Sequence, residues 1–128
     1  EIPDFHAVLF FSDTSCGTGA VYGRFDAQGT AVLRAHAVRE TISTGHFFND
    51  LAEPALQEAP ALRNHLTAIE STAKRPIHVS GSGSTLFLTC DTDLEAGAIA
   101  AAIQATHTVS AIATRPTRLD ARPLNSIE

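Results

Sequence analysis

Serine and glycine alternate in one segment of the chain, Ser80-Gly81-Ser82-Gly83-Ser84, which lies between two apolar runs. Glycine has no Cβ and tolerates positive φ, so a glycine turn allows the backbone to lie close to a ligand or to another loop. Successive backbone N–H groups in such a turn can converge on an anion, and the serine hydroxyls add donors. A tight hairpin loop that binds nothing is the alternative interpretation of the same residues.

Thr18 is the second candidate for contact with a ligand. It belongs to the segment of small and polar residues that follows the first apolar run, where its hydroxyl can contact a small-molecule substrate. The alternative is that Thr18 caps the helix that carries Tyr22, and Tyr22 itself is expected to pack in the core. Asn49 and Asp50 are predicted to cap another short helix rather than to take part in chemistry.

Several other kinds of chemistry are disfavoured by the composition. The six histidines and two cysteines show neither the HExxH nor the CxxC spacing of a metal site, so no metal site and no catalytic residue are predicted. A net charge of −5 argues against nucleic acid as a partner. No apolar run approaches the ~20 residues of a membrane span, so no membrane partner is expected either.

The pattern of apolar and turn-forming residues predicts interleaved strands and helices. Strands are expected at 6–11, 77–79, 85–90 and 108–114. Helices are expected at 20–25, at 31–42, at 51–56 after the caps, from Pro60 along the stripe Leu62, Leu66, Ile69 and Ala73, and from the capping box Thr92–Glu95 to about Ala105. Ala98, Ala101 and Ala102 are expected to let the last helix lie close on the sheet. This order predicts an α+β, ferredoxin-like sandwich, with a mainly antiparallel four-stranded sheet and helices on one face.

Three segments, taken together, carry a resemblance to a known family. They are Gly17–Tyr22, Phe48–Pro54 and Ser80–Phe87. In this order and spacing they resemble motifs in the C-terminal domain of the GHMP small-molecule kinases, above all those that phosphorylate a diphosphocytidyl sugar alcohol in the non-mevalonate isoprenoid pathway. Gly17 stands where that family has serine.

The resemblance implies a division of labour between two domains. Residues 1–128 would form one domain with an irregular tail at 115–128, and a cut before Glu1 would separate it from its own N-terminal, ATP-binding kinase domain. Ser80, Gly81, Ser82, Gly83 and Ser84 would support the cleft and the phosphate-binding loop of that missing domain, and Thr18 would contact the substrate.

The same resemblance implies ATP and Mg²⁺ as cofactors of the full-length, cytoplasmic enzyme, with neither bound by this domain alone. The 128-residue chain by itself is expected to be inactive as a kinase. Two alternatives stay open. One is another GHMP kinase of the homoserine or mevalonate type, and the other is a stand-alone ligand-binding or regulatory module without kinase activity.

Overall fold

The computed structural model describes residues 4–29, 35–44 and 46–116. The predicted helix at 31–42 therefore has its first residues outside the described ranges, and it is seen from residue 35 onward. Of the predicted irregular tail at 115–128, only residues 115 and 116 lie inside them.

Four strands form one sheet, and every pairing within it is antiparallel. The strands are β1 (His6–Phe11), β2 (His78–Val79), β3 (Thr85–Cys90) and β4 (Ser110–Thr114), in the spatial order β2-β3-β1-β4. The two inner strands, β1 and β3, lie in the predicted apolar runs. Turn-forming residues bound these runs on each side, which is typical of strands. With helices between β1 and β2 and between β3 and β4, this is the ferredoxin-like order. The predicted fold class is confirmed.

Five described helices accompany the sheet, and local signals explain where several of them begin and end. They are α1 (Thr18–Ala27), α2 (Ala35–Thr44), α3 (Ala52–Glu58), α4 (Pro60–Ala73) and α5 (Asp93–Thr106). Pro60 occupies the first turn of α4, where its missing N–H costs nothing. The predicted capping box starts α5, since Thr92 Oγ1 accepts from the Glu95 N–H at 3.2 Å.

The core lies between one face of the sheet and α5. Val8 and Phe10 of β1 alternate inward with the paired Leu88 and Leu86 of β3, and all four are almost fully buried. α5 contacts β1, β3 and β4, and it also contacts α4, whose Leu62 and Ile69 are buried as predicted. Helices therefore cover this face of the sheet.

The packing face of α5 differs from the predicted one. Ala96, Ala100 and Ile103 are buried, whereas the three alanines expected to touch the sheet (Ala98, Ala101 and Ala102) are exposed. The prediction was wrong because α5 is apolar around much of its circumference, so the small residues did not reveal its orientation. The buried face of α5 is the one that carries Ile103, its longest buried side chain.

Apolar side chains also line the other face of the sheet, where Phe47 covers one part of it. The Phe47 ring meets His78 and Phe87 with ring centroids 5.3 Å apart in each case. Phe11 and Ile112 lie on the same face and remain 40% and 53% exposed. His78 thus has an apolar environment on the outer strand β2.

The environment of His78 predicts how stability depends on pH. Burial lowers the pKa of His78 below its ordinary value near 6.5, and Glu70 only partly opposes this. The folded chain then binds fewer protons than the unfolded chain, so the free energy of unfolding should fall as the pH drops from 7 through 6.5. Below the lowered pKa of the folded state this loss is complete.

His78→Phe keeps an aromatic ring beside Phe47 and Phe87 but removes the titration. Urea unfolding between pH 5 and 7.5 should show a shallower acid loss in this variant than in the parent chain. Parallel stability curves for the two proteins would show that His78 does not contribute to the acid sensitivity.

Candidate functional site

The Ser/Gly turn, residues Ser80–Ser84, connects β2 to β3 and is closed by its own backbone. The Ser80 N–H donates to the Thr85 carbonyl at 2.9 Å, and the Gly83 N–H donates to the Ser80 carbonyl at 3.0 Å. Gly81 has φ of 56° and Gly83 has φ of 83°. Both glycines are therefore in the conformation that other residues adopt only at a cost. The turn has a defined shape and is not a flexible linker.

Gly83 lies in close contact with the body of the domain. A Cβ at this position would stand 3.3 Å from Cys16 Sγ, 3.3 Å from Leu62 Cδ2 and 3.6 Å from Ala55 Cβ. The backbone of the turn therefore rests directly on α3, on α4 and on the segment before α1. Glycine is required here for the close approach as well as for the backbone conformation.

The structure brings the two predicted parts of the site together. Thr18 Oγ1 lies 3.2 Å from Ser82 Oγ, and both hydroxyls are exposed at this contact. The neighbouring Cys16 thiol donates to the Ser82 carbonyl at 3.2 Å. Residues 64 positions apart thus form one hydroxyl-bearing rim, although contact with a substrate stays a prediction for both of them.

Two expectations about α1 are wrong. Thr18 is the first helical residue, and the N-cap is Gly17, which supplies no side-chain bond. Tyr22 is 49% exposed, while the neighbouring Val21 is the buried residue of the helix. α1 contacts α3, and it turns Val21, not Tyr22, toward the buried core.

Asn49 is a site residue that sequence reasoning missed. Its Nδ2 donates to the Val79 carbonyl at 2.9 Å and to the Gly81 carbonyl at 2.7 Å, while its Oδ1 accepts from the Leu51 N–H at 3.0 Å. The predicted capping role of Asn49 is confirmed in part, because its Oδ1 accepts from a backbone N–H at the start of the helix, although α3 itself begins at Ala52 with Leu51 as its N-cap. Nothing in the local sequence indicates partners 30 residues away.

His65 and Ser12 were not predicted as site residues either. His65 Nδ1 on α4 lies 2.7 Å from Ser12 Oγ, which also accepts from the Thr14 N–H at 3.0 Å. These bonds hold the segment that leads from β1 to Cys16 and Thr18. Ordinary spacing rules give no signal for such a contact between a strand end and a helix.

The fold has a counterpart among solved structures. A crystal structure of 4-(cytidine 5'-diphospho)-2C-methyl-D-erythritol kinase matches 89% of this chain with a TM-score of 0.68 and 26% sequence identity. The chain resembles this kinase. The resemblance predicted from the three motifs is thereby confirmed, and the fold matches that of the C-terminal domain of GHMP kinases.

The likeness concerns less than half of that kinase, since the chain spans 43% of its length. No protein-family model and no curated protein matches the sequence. In the ranges that the structure describes, every helix is too short or too polar to cross a bilayer.

Two ion pairs link the helices around the site. Arg24 pairs with Glu58 at 2.6 Å, and Arg63 pairs with Glu53 at 2.6 Å. Burial and, to a smaller extent, Glu58 raise the pKa of the Cys16 thiol, so it is neutral and serves as a donor. Among the described residues, no three potential metal ligands cluster together. The rim therefore offers hydroxyls and backbone groups rather than charge.

Proposed function

We propose that this chain is the C-terminal, substrate-side domain of an ATP-dependent small-molecule kinase, which phosphorylates a hydroxyl of 4-diphosphocytidyl-2-C-methyl-D-erythritol in isoprenoid biosynthesis. The observation that carries the proposal is the 3.2 Å contact between Thr18 and Ser82. It places the two hydroxyl-bearing segments at one rim, in a fold that resembles a kinase of that substrate. A cytoplasmic location belongs to the same proposal.

In this proposal the Ser/Gly turn forms one wall of a cleft whose other wall is the chain's own N-terminal kinase domain. Gly81 has nothing within 4 Å of its Cβ position, so a loop or a ligand can approach the turn at this point. The Thr18 hydroxyl then orients the substrate by a hydrogen bond, next to the Ser82 hydroxyl. Such positioning is what phosphoryl transfer demands of the protein, together with stabilisation of charge.

ATP and Mg²⁺ supply the phosphoryl group and neutralise the phosphate oxygens in such a reaction. The residues at the rim do not fit the metal, because Mg²⁺ in such sites is held by one or two carboxylates together with the phosphates, and neither Thr18 nor the Ser/Gly turn carries a carboxylate. The Cys16 thiol, with its raised pKa, is also unsuited to act as a base or a nucleophile. Catalysis is therefore assigned to the other domain, and the 128-residue chain alone should have no kinase activity.

The test is an assay of ATP-dependent phosphorylation by the full-length gene product, with diphosphocytidyl and other alcohols as acceptors. Thr18→Val removes the hydroxyl at nearly constant volume, and we expect it to raise the KM for the acceptor about tenfold, the value of one lost hydrogen bond. Thr67→Val, at an exposed position on α4, is the matched control and should leave KM unchanged. Turnover of another alcohol but not of the diphosphocytidyl compound would show that the substrate is wrong. Turnover by the 128-residue chain alone would show that the division of labour is wrong.

One observation favours a second candidate function, a stand-alone module that binds a small molecule. The Ser/Gly turn is supported entirely from within this chain, by Asn49, Cys16 and Leu62. A turn that keeps its shape without a second domain can serve a binding module as well as a kinase. Homoserine- or mevalonate-type kinases share the Ser/Gly motif and remain the alternatives within the same class. The acceptor panel separates them.

A further inference from the structure

We propose that Asn49 is a positioning residue, which holds the Ser/Gly turn beside Thr18 so that the two segments present their hydroxyls together to substrate. This inference rests on the proposed function. Asn49 does not itself contact the Thr18 hydroxyl. Its role follows from the bonds that it makes to the backbone on both sides of Ser80.

The Asn49 amide makes three hydrogen bonds. Its nitrogen bonds the carbonyl of Val79, the last residue of β2, at 2.9 Å and the carbonyl of Gly81, inside the turn, at 2.7 Å. Its oxygen accepts from the Leu51 N–H at 3.0 Å. A primary amide has two N–H donors and an acceptor, so one side chain joins the end of the strand, the turn and the start of α3.

The turn is held from the opposite side by the segment before α1. The Cys16 thiol donates to the Ser82 carbonyl at 3.2 Å, and Thr18 and Ser82 share the hydroxyl contact. Gly81 has open space around its Cβ position, so side-chain packing does not restrain it there, whereas the bond from Asn49 to its carbonyl does. Without the bonds from Asn49, Ser80 and Gly81 would be held only by the backbone hydrogen bonds within the turn.

Two substitutions separate this role from the local one at the start of α3. Asn49→Asp keeps the oxygen that accepts from Leu51 but loses both donors and places a carboxylate against two carbonyls. Asn49→Ser replaces the two amide donors by one hydroxyl on a shorter side chain, which can serve at most one carbonyl, and it keeps a short acceptor without adding charge. If Asn49 only shaped the start of α3, both variants would behave like the parent protein. If Asn49 positions the turn, both variants should loosen the turn.

Cys16 reports on the turn, because its thiol is half-buried against Gly83 and bonded to Ser82. Modification of Cys16 by a thiol reagent, followed in the full-length gene product by peptide mapping, should be about 100-fold faster in both variants, as expected for the loss of two hydrogen bonds at about tenfold each. The buried Cys90 is the internal standard, since its rate should rise only if the whole domain loosens. Asn64→Asp, the same change at an exposed position on α4, is the matched control.

A second measurement concerns substrate. In the same protein, the variants should raise the KM for the acceptor alcohol several-fold while the KM for ATP changes less than twofold, whereas a general loss of structure would lower kcat and reduce the melting temperature instead. Unchanged Cys16 reactivity in both variants would overturn the inference, whatever the kinetics. Faster Cys16 modification with an unchanged KM would overturn the link to substrate. An absence of kinase turnover in the parent protein defeats the proposed function, while the Cys16 rates still decide whether Asn49 holds the turn.

Discussion

Replacing Phe10 with alanine is expected to lower the free energy of unfolding by about 3–5 kcal/mol, the usual cost of removing a buried aromatic side chain. Phe10 is fully buried and sits at the centre of the sheet, paired with Leu86 of β3 and Ala111 of β4. Neighbours from two strands and α5 surround this position, so little collapse into the cavity is possible. The loss is a large part of the ~5–15 kcal/mol that stabilises a typical domain.

The adjacent residue provides the control for this prediction. Phe11 is 40% exposed on the other face of the sheet, and Phe11→Ala should cost much less than Phe10→Ala in urea unfolding. Phe10→Leu, at about 1 kcal/mol, keeps the comparison measurable if the alanine variant does not fold. Equal losses for the alanine variants of Phe10 and Phe11 would mean that the inward face of β1 has been assigned wrongly.

Replacing Gly83 with alanine should destabilise the domain by about 2–5 kcal/mol, through two separate effects. The left-handed conformation, with φ of 83°, costs about 1–2 kcal/mol for a residue with a Cβ. The new methyl group would also lie 3.3 Å from Cys16 Sγ and from Leu62 Cδ2, and overpacking of this kind adds about 1–3 kcal/mol.

Gly81 separates these two effects, because it shares the left-handed conformation but has open space around its Cβ position. Gly81→Ala should cost only the conformational part, about 1–2 kcal/mol, in the same urea titrations. In the full-length gene product, Gly83→Ala should also weaken acceptor binding more than Gly81→Ala does. If the two alanine variants lose equal stability, the close approach of the turn to α3 and α4 contributes nothing.

Much of the fold could be predicted from the sequence, because its signals are local. The bounds of β1 and β3 follow from short apolar runs between turn residues, and the start of α5 follows from the Thr92 hydroxyl and its bond to the Glu95 N–H. The orientation of a helix is harder to predict where most of its residues are apolar or small. The buried stripe of α5 and the exposure of Tyr22 were missed for this reason, since burial depends on which neighbour the helix meets.

The candidate site was predicted in part. The residue types of the Ser/Gly turn indicated that it could lie close to a ligand or to another loop, and Thr18 was a separate candidate for contact with substrate. The structure places their hydroxyls 3.2 Å apart. The residues that hold them there, Asn49 and the pair Ser12–His65, act over 30 or more positions of sequence. Such long-range polar contacts depend on the tertiary arrangement of strand ends and helices, and a single sequence carries no periodic pattern that specifies them.

Leu62 contributes both to the hydrophobic core and to the position of the Ser/Gly turn, so a substitution affects the two together. Its side chain is fully buried in the core, and its Cδ2 is also the surface on which Gly83 rests. A change in the size of this side chain therefore alters both the packing of the core and the position of the Ser/Gly turn. In a mutational scan that scores abundance and ligand affinity independently, substitutions of Leu62 should therefore lower both scores. The loss of affinity would resemble that of a ligand-binding residue, although Leu62 lies in the core and does not contact the ligand.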